Sequence, residues 1–379
     1  MANVQEREFA MKKKIYWSGV TDLGTQSPVT TRTLFGIGSS TKPMTSIMVD
    51  DGVIAWNTPV QKILPAFAMS DPEITEKVTV WHTLCMCTGV PRRMEDISVQ
   101  HSELTAEDMI DSQAAIPLEG KFEEHYAYSE RMFSAGGYLA AMVAGGKYGD
   151  LAQTYADLMQ ERVFDPLGMT FTTLSIDRAV ASGNYATPYN SSMIGFEPLS
   201  PEIEGGFTPI APTGAVWSSV DDQGKFLMML LNDGKAADGR RVMSSENLRY
   251  VWEPRTIIDE DFQYGLGWNI EDYHSLTVIH HPGGTVGFGS KLVILPEYDL
   301  GFAMLINRLD LVHQMGRMTT YRLLEMLTGS EQVYDLEARD TAQEIERQIP
   351  LLLLMTRETV NPDKVAPFLA GITMMNWAM

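Results

Sequence analysis

The sequence predicts an α+β fold, of the α/β sandwich kind, in which an antiparallel sheet is flanked by helices and interrupted by a large, mostly helical insertion. Three observations predict it. Strand-like segments cluster late in the chain with short connections between them, which favours antiparallel pairing. Helical patterns with recognisable ends fill the middle. Strand-like residues 14–20 and 33–37 come earlier, and pairing them with the late strands would leave the middle as an insertion.

The middle of the chain is predicted to be mostly helical. A first helix begins at Ser39 and continues to about Val49, because Gly52 just beyond it is a helix-ending residue. The later predicted elements of this part are a buried helix at residues 131–145, a helix at 150–163, a helix from Ser219 to about Asn232, mixed short helices and turns at 53–120, and a long loop region rich in Gly, Pro, Ser and Asn at 184–217.

The late strands are separated by short turn signals and are followed by one amphipathic helix. The strands are predicted at residues 264–270, 276–281, 290–296 and 300–307, and the helix at 312–328. The chain is therefore predicted to consist of one catalytic unit at residues 1–328 and a C-terminal appendage at 329–379. Within the unit, an α/β part lies at about 1–50 and 250–328, and a helical part at about 51–249.

Composition excludes several classes of partner. The chain has 29 Lys and Arg against 49 Asp and Glu, a formal net charge of −20, which argues against nucleic acid and against anionic lipid as partners. The longest apolar run near the end, Leu351 to Met355, is far shorter than the roughly 20 residues that cross a bilayer. The N-terminus has no apolar stretch ahead of a small-residue cleavage site. A cytoplasmic protein without a membrane partner is expected.

The two cysteines, Cys85 and Cys87, are expected to be small buried residues rather than a disulfide, because they are two positions apart in a segment taken as extended. Since there is no second cysteine pair and the seven His are scattered, no metal site and no cofactor are expected. The pair is compatible with a reducing cytoplasm.

An S-x-x-K motif, Ser39-Ser40-Thr41-Lys42, lies at the start of the first predicted helix. On a helix this spacing places the Lys42 ammonium beside the Ser39 hydroxyl, one turn away. A serine hydroxyl needs a base to become a nucleophile, and a partly buried lysine with a lowered pKa can be that base. Taken alone, the motif is more often a helix cap with a surface lysine.

Two further motifs follow in order. Tyr126-Ala127-Tyr128-Ser129 precedes the predicted buried helix, and an H-x-G-G-x-x-G-F sequence begins at His281. The order of these motifs resembles the serine β-lactamase-like superfamily, which includes class C β-lactamases, D-alanyl-D-alanine peptidases and, as the most similar, family VIII carboxylesterases. The resemblance covers roughly residues 14–328 and includes the phrases TLFGIGSSTKPMTS, VTVWHTLCMCTGVPR and YGLGW. It implies the penicillin-binding-protein-like fold.

The resemblance also implies roles for individual residues. Ser39 would be the acylated nucleophile, Lys42 its partner in proton transfer, and Tyr128 the residue that relays a proton to the leaving group. Tyr126 is the other candidate for the tyrosine role. No metal takes part in this chemistry.

The resemblance implies an oxyanion hole as well. The backbone N–H groups of Ser39 and Gly284 would form it, with Gly283 allowing close approach to the strand. His281 stands where β-lactamases have a lysine, and His280 is the alternative, although it should point to the opposite face of the strand. Lys42, His281 and the helix N-terminus are expected to make the site locally positive.

The sequence departs from the family pattern at several points. Glu130 stands where β-lactamases have an asparagine that holds the lactam amide, which disfavours β-lactamase action. Met86 replaces a structural histidine, which is interpreted as a packing change. The helix after Lys42 is about one turn short, and Ser39 comes early in the chain, so that an edge of the sheet is reduced and a homodimer is favoured. The C-terminal appendage resembles the opening of an accessory domain.

The predicted function is that of a serine hydrolase cleaving carboxylic esters with short acyl chains through a Ser39 acyl-enzyme, as a carboxylesterase of class EC 3.1.1 acting on a small-molecule ester. The alternatives are a β-lactamase or a D-amino-acid peptidase or amidase, and a weakly active or inactive penicillin-binding-like protein.

Overall fold

The computed structural model describes residues 19–49, 54–92, 104–192, 195–310, 312–331 and 333. The strands are β1 Phe35–Gly36, β2 Tyr189–Ser192, β3 Gly195–Pro198, β4 Trp217–Ser218, β5 Thr256–Ile257, β6 Phe262–Tyr264, β7 Asn269–Tyr273, β8 Leu276–Gly284, β9 Gly289–Leu295 and β10 Leu300–Ile306. The α-helices are α1 Lys42–Ile47, α2 Val60–Ile63, α3 Pro72–Lys77, α4 Val80–Leu84, α5 Ala106–Asp111, α6 Glu130–Val143, α7 Leu151–Met159, α8 Asp165–Leu167, α9 Ile176–Ala181, α10 Ala211–Gly214, α11 Val220–Leu231, α12 Ser245–Trp252 and α13 Val312–Thr328. Short 3₁₀ segments occur at Gly38–Thr41, Ser112–Ala115, Pro201–Ile210 and Pro296–Tyr298, and a π-helical turn at Gln160–Phe164.

The six late strands form one antiparallel sheet in the order β10-β9-β8-β7-β6-β5. Neighbours in the sheet are neighbours in sequence, as the short connections predict. Every residue of β9 is buried, and in β8 the four residues from Val278 to His281 are buried. Strand β8 therefore runs through the covered part of the sheet and carries the H-x-G-G sequence at its end.

The predicted closure of the sheet is wrong for the second early strand. Strand β1 pairs with β4, through Phe35 opposite Ser218 and Gly36 opposite Trp217, and not with the late strands. Residues 14–18, most of the first predicted strand, lie outside the described residues. The antiparallel α+β architecture is confirmed.

Residues 184–217 are more structured than the predicted loop region. They contain the hairpin β2–β3, the 3₁₀ segment Pro201–Ile210, helix α10 and the start of β4. The Gly, Pro, Ser and Asn residues separate short elements here, rather than forming one continuous loop. The prediction was wrong because each element is only two to ten residues long, too short to show a periodicity.

The predicted buried helix is α6. Twelve of its fourteen residues are buried, and Ser129 caps it by accepting a hydrogen bond from Met132 N. Two glycines allow close helix packing: a Cβ on Gly136 would lie 2.4 Å from Thr83 Oγ1, and one on Gly137 would lie 2.5 Å from Pro212 Cβ. Helix α6 therefore packs closely against both α4 and α10, and this packing fixes the position of the preceding loop, which carries Tyr128.

Cys85 and Cys87 form a disulfide, contrary to the prediction. The segment is not extended: Cys85 ends α4 in helical conformation, and Met86 has a φ of 57°, so the chain turns back on itself. The two Cα atoms are 5.3 Å apart, which a disulfide can join. The cysteines therefore give no argument for a reducing compartment.

Two absences apply only to part of the chain. No helix among the described residues is both long and apolar enough to cross a membrane. Within the same residues no group of three or more His, Cys, Asp or Glu side chains could hold a metal ion. Residues 334–379, nearly the whole predicted appendage, lie outside the described part, and its relation to the unit at 1–328 stays a prediction.

Candidate active site

Ser39 and Lys42, the first and last residues of the S-x-x-K motif, are in contact. Ser39 lies in the 3₁₀ turn that leads directly into α1, and Lys42 is the first residue of that helix. Lys42 Nζ is 3.0 Å from Ser39 Oγ and donates a hydrogen bond to Thr213 O at 3.2 Å. Lys42 is fully buried, whereas Ser39 is partly exposed. The lysine is therefore not a surface residue, and the serine is accessible to a substrate.

Burial lowers the pKa of Lys42 to about 7. Two nearby charges act in opposite directions: the Glu130 carboxylate raises this pKa and the Arg92 guanidinium lowers it. A large fraction of Lys42 is therefore a neutral amine near neutral pH. Such an amine can accept the proton that Ser39 must lose.

Tyr128 is the tyrosine that reaches the nucleophile. The Ser39 hydroxyl is close enough to its phenol to lower the Tyr128 pKa in part, and Lys42 Nζ lies 4.8 Å from the centroid of the Tyr128 ring. Burial, followed by the charge of Glu130, raises the Tyr128 pKa well above its ordinary value, so the group is a neutral phenol. Tyr126 instead packs against Tyr264, with ring centroids 6.0 Å apart, and burial raises its pKa to about 12.

Met86 holds the segment that carries Tyr128. Ala127 N donates a hydrogen bond to Met86 O at 2.9 Å, and Ser129 N donates one to Met86 Sδ at 3.2 Å. The bonded cysteines on either side set the turn at Met86. The residue interpreted from sequence as a packing change is therefore a support for the tyrosine loop.

His281 faces the site and is neutral. Its Nδ1 lies 2.6 Å from Pro282 O, and a carbonyl only accepts hydrogen bonds, so Nδ1 carries the proton. Burial, together with the charge of Lys42, lowers the His281 pKa to about 3. Nε2 is then an acceptor, and Tyr264 Oη donates to it at 3.2 Å. His280 is on the opposite face of β8, with Nε2 3.6 Å from Glu271 Oε2.

The end of β8 is pressed against the turn that carries the nucleophile. A Cβ on Gly283 would lie 2.0 Å from Ile37 O, and one on Gly38, whose φ is 49°, would lie 2.5 Å from Gly284 O. Only glycine fits at either position.

The direction of the Gly284 N–H follows from the pairing of β8 with β9. Thr285 N donates to Phe288 O. Because hydrogen-bonded and other pairs alternate along an antiparallel ladder, the N–H of Gly284 points away from β9. The backbone of Gly38 lies on that side. The backbones of Gly38 and Gly284 are therefore in contact directly beside Ser39, and the oxyanion hole formed by Ser39 and Gly284 stays a prediction.

Glu204 is a residue of this region that the sequence did not indicate. Its Oε1 accepts hydrogen bonds from Thr285 Oγ1 at 2.8 Å and from Gly287 N at 3.3 Å, and so fixes the loop after Gly284. Burial raises the Glu204 pKa to about 7. Tyr264 was also missed; its only signal was its place in the phrase YGLGW.

Glu130 and Arg92 form an ion pair on the helical side of the site. Arg92 Nε lies 3.1 Å from Glu130 Oε1, and the Arg92 guanidinium lies 5.2 Å from the centroid of the Tyr128 ring. The positive charge of the site is weaker than expected. His281 is neutral, Lys42 has a pKa of about 7, and the carboxylate of Glu130 balances Arg92.

The family model described as beta-lactamase matches residues 11–326. The chain belongs to the beta-lactamase family. It is 29% identical over 365 residues to the unguisins hydrolase ungD' of Aspergillus campestris, an alignment that covers 89% of this chain and 64% of that protein. It is 25% identical to penicillin-binding protein 4 of Amycolatopsis lactamdurans, over 76% of each chain.

A solved structure supports the same fold. The octameric penicillin-binding protein homologue from Pyrococcus abyssi matches with a TM-score of 0.71 and 20% identity, over 86% of this chain and 74% of that one. The chain spans less than two thirds of the two Aspergillus hydrolases that it matches, 64% and 60%.

Proposed function

We propose that this protein is a serine hydrolase of the family VIII carboxylesterase type, which cleaves carboxylic esters with short acyl chains through an acyl-enzyme on Ser39. The observation that carries the proposal is the contact of a partly exposed Ser39 with a buried Lys42, 3.0 Å away, opposite the strand end at Gly284. Ester hydrolysis requires a nucleophile, a route for its proton and an oxyanion hole, and these groups can supply each of them.

In acylation, Ser39 Oγ attacks the ester carbonyl carbon and its proton passes to the neutral amine of Lys42. The carbonyl oxygen becomes negative, and the N–H groups of Ser39 and Gly284 donate to it. Tyr128, protonated at neutral pH, gives its proton to the leaving alkoxide as the C–O bond breaks, and the Lys42 ammonium returns a proton to Tyr128.

Deacylation uses the same groups in reverse. Water attacks the acyl-enzyme and its proton passes to the neutral amine of Lys42; the Lys42 ammonium then returns a proton to Ser39 Oγ as the bond to the acyl group breaks and the acid leaves. His281 takes no proton in this cycle, since its pKa is about 3. It shapes the site between Tyr264 and the backbone of β8.

The charges of the site favour esters over β-lactam antibiotics. Penicillins and cephalosporins carry a carboxylate, which a cationic group normally has to bind. Here the lysine expected at the His281 position is a neutral histidine, and a buried carboxylate, Glu130, lies beside the tyrosine. Hydrolysis of an amide or lactam is the second candidate, favoured by the names of relatives such as the beta-lactamase of Escherichia coli, 24% identical.

The test is turnover by purified protein of p-nitrophenyl acetate, butyrate and longer esters, beside a chromogenic cephalosporin. We expect the short esters to be hydrolysed and kcat/KM to fall at least about 1,000-fold in Ser39→Ala. Ser46→Ala is a matched control, because Ser46 is a buried serine near the end of α1, and its hydroxyl donates to Pro43 O. Ester turnover that survives Ser39→Ala would overturn the proposal, and fast cephalosporin turnover with slow ester turnover would favour the second candidate.

A further inference from the structure

The predicted oxyanion donor of β8 lies in a stretch of backbone with unusual conformational freedom. Gly283 and Gly284 are adjacent at the end of the strand, and glycine has more accessible backbone conformations than any other residue. A donor that stabilises an oxyanion must be fixed before the reaction, because reorienting it costs part of the stabilisation. The two glycines therefore need restraints on both sides.

The restraint on the N-terminal side is close packing. A Cβ on Gly283 would lie 2.0 Å from Ile37 O and 2.9 Å from Ser40 N, so this glycine lies directly on the turn that carries the nucleophile. The ladder between β8 and β9 ends at Gly284. The restraint on the C-terminal side must therefore come from residues 285–288, which we call the β8–β9 turn.

The β8–β9 turn is held by a buried carboxylate. Thr285 Oγ1 donates a hydrogen bond to Glu204 Oε1 at 2.8 Å, and Gly287 N donates to the same oxygen at 3.3 Å. Thr285 Oγ1 in turn accepts a hydrogen bond from Phe288 N at 3.1 Å. One carboxylate oxygen thus connects three of the four residues of the turn, the first of which directly follows Gly284.

The charge of Glu204 strengthens this connection. The side chain is 5% exposed, and burial raises its pKa to about 7, whereas the hydrogen bonds from Thr285 and Gly287 lower it. These two donors therefore favour the charged form. Hydrogen bonds to an ionised acceptor are roughly twice as strong as neutral ones, so a carboxylate restrains the turn more firmly than an amide would.

The segment that carries Glu204 also contacts the base. The 3₁₀ segment Pro201–Ile210 leads directly into α10, where Thr213 O accepts a hydrogen bond from Lys42 Nζ at 3.2 Å. One continuous segment therefore contacts both Lys42 and the turn after Gly284. Glu204 connects the position of the oxyanion strand to the position of the base.

We propose that Glu204 is a positioning residue for the oxyanion hole: its carboxylate holds the β8–β9 turn and thereby fixes the N–H of Gly284 for the transition state. Glu204 does not itself contact the substrate. This inference rests on the proposed acylation of Ser39 and on the predicted role of Gly284. Loss of the restraint should weaken binding of the tetrahedral oxyanion and leave binding of the unreacted ester nearly unchanged.

The test compares these two kinds of binding in Glu204→Gln and Glu204→Ala. p-Nitrophenyl butyrate gives kcat and KM, and 1,1,1-trifluoro-2-pentanone, which adds to a nucleophilic serine as an oxyanion, gives an inhibition constant. We expect kcat/KM to fall about 3-fold in Glu204→Gln, which keeps an acceptor oxygen, and about 30-fold in Glu204→Ala. The inhibition constant should rise by about the same factors, while KM changes less than about 2-fold.

Glu202→Gln is the matched control. It removes the same charge two residues away, from an exposed side chain that accepts a hydrogen bond from Ser200, and should leave both constants unchanged. If Glu204→Ala does not fold, Thr285→Val and Thr285→Ser replace it. Valine removes the hydroxyl and should raise the inhibition constant, whereas serine keeps the hydroxyl and should behave like the wild type.

Two results of these assays would overturn the inference. An inhibition constant that stays unchanged when kcat falls would mean that the substitution alters only the amount of folded protein. A KM that rises as much as the inhibition constant would mean that the whole site is loosened and not the oxyanion hole.

A second readout separates this inference from the proposed function. An alkyl fluorophosphonate labels a nucleophilic serine without turnover of ester, and intact mass gives the labelling rate constant, which does not depend on the amount of folded protein. Slower labelling in Glu204→Ala supports the inference even if esters are not substrates. Labelling at the wild-type rate in Glu204→Ala and Thr285→Val overturns it, and a wild-type protein that is not labelled at Ser39 overturns both the inference and the proposed function.

Discussion

The two walls of the site are built in different ways. The sheet-side wall, consisting of Gly38, Ser39, His281, Gly283 and Gly284, is neutral apart from its dipoles and is made of backbone segments pressed against each other. The helix-side wall, consisting of Arg92, Tyr126, Tyr128 and Glu130, is made of side chains and carries the formal charges. Lys42 interacts with both walls: Glu130 and Arg92 shift its pKa, and its charge lowers the pKa of His281.

This difference separates two tasks. A stabiliser of the oxyanion must be rigid and correctly placed before the reaction, which close backbone packing provides. The proton affinity of a base and the choice of substrate depend on charges, which side chains can change without moving the backbone. We therefore expect substitutions that disturb the backbone contacts of the sheet-side wall to cost the most activity, and substitutions of the two charged residues of the helix-side wall, Glu130 and Arg92, to tune it.

After Ser39→Ala, the largest effect is expected from Gly283→Ala. The added Cβ would lie 2.0 Å from Ile37 O and 2.9 Å from Ser40 N, both backbone atoms, so the strand and the nucleophile turn must separate. The oxyanion donors then lose their alignment, and kcat on p-nitrophenyl butyrate should fall by at least about 100-fold.

Gly284→Ala is the comparison for that variant. Its Cβ would meet the end of a side chain, Leu309 Cδ1, at 2.4 Å, and that atom can move aside. We expect a smaller loss, with circular dichroism and thermal melting showing both variants folded. Equal losses for the two glycines would mean that the sheet-side wall is not held by backbone contact.

The sequence predicted the two walls unequally. Ser39 and Lys42 are one helical turn apart, and the His281 and glycine sequence is continuous, so local spacing and the resemblance were enough. Arg92 and Glu130 are far apart in sequence, as are Glu204 and Thr285, and no periodicity links them. The turn at Met86, whose φ is 57°, could not be predicted from the sequence, because methionine rarely adopts a positive φ.

The same reasoning applies to the fold. The late strands of the sheet follow one another in sequence and were predicted by their pattern, whereas β1 pairs with β4 across about 180 residues. The charge of the site was misjudged because burial, which sequence does not reveal, decides the protonation of Lys42 and His281.

Removing either charge of the helix-side wall is expected to shift the pH dependence of kcat/KM moderately, and the two shifts should have opposite directions. The neutral form of Lys42 is the base, so kcat/KM on p-nitrophenyl butyrate should rise with pH through about 7. Glu130 raises the Lys42 pKa, so Glu130→Gln should move the midpoint to lower pH, by roughly half to one unit. Arg92 lowers that pKa, so Arg92→Gln should move the midpoint to higher pH by less.

The shift is measured from pH profiles of kcat/KM, which report the free enzyme. Glu124→Gln, with its exposed side chain, should leave the midpoint where it is. Shifts of the same sign for the Glu130 and Arg92 variants would show that the profile follows a group other than Lys42.

The smallest effect is expected where the two walls meet, at Tyr264. Its hydroxyl donates to His281 Nε2 at 3.2 Å, while the other nitrogen of the ring is held by Pro282 O at 2.6 Å. Tyr264→Phe removes one of two restraints on the imidazole, and the loss of one hydrogen bond should lower kcat/KM by about 2- to 10-fold.

The double-mutant cycle with His281→Ala tests the origin of that loss. If Tyr264 acts by orienting the imidazole, His281→Ala lowers the acylation rate while the fold stays intact, and Tyr264→Phe then has no further effect. If the two losses multiply, the Tyr264 hydroxyl acts on the site independently. It would then belong with Tyr126 and Tyr128, whose rings it contacts, and the helix-side wall would extend onto the sheet at β6.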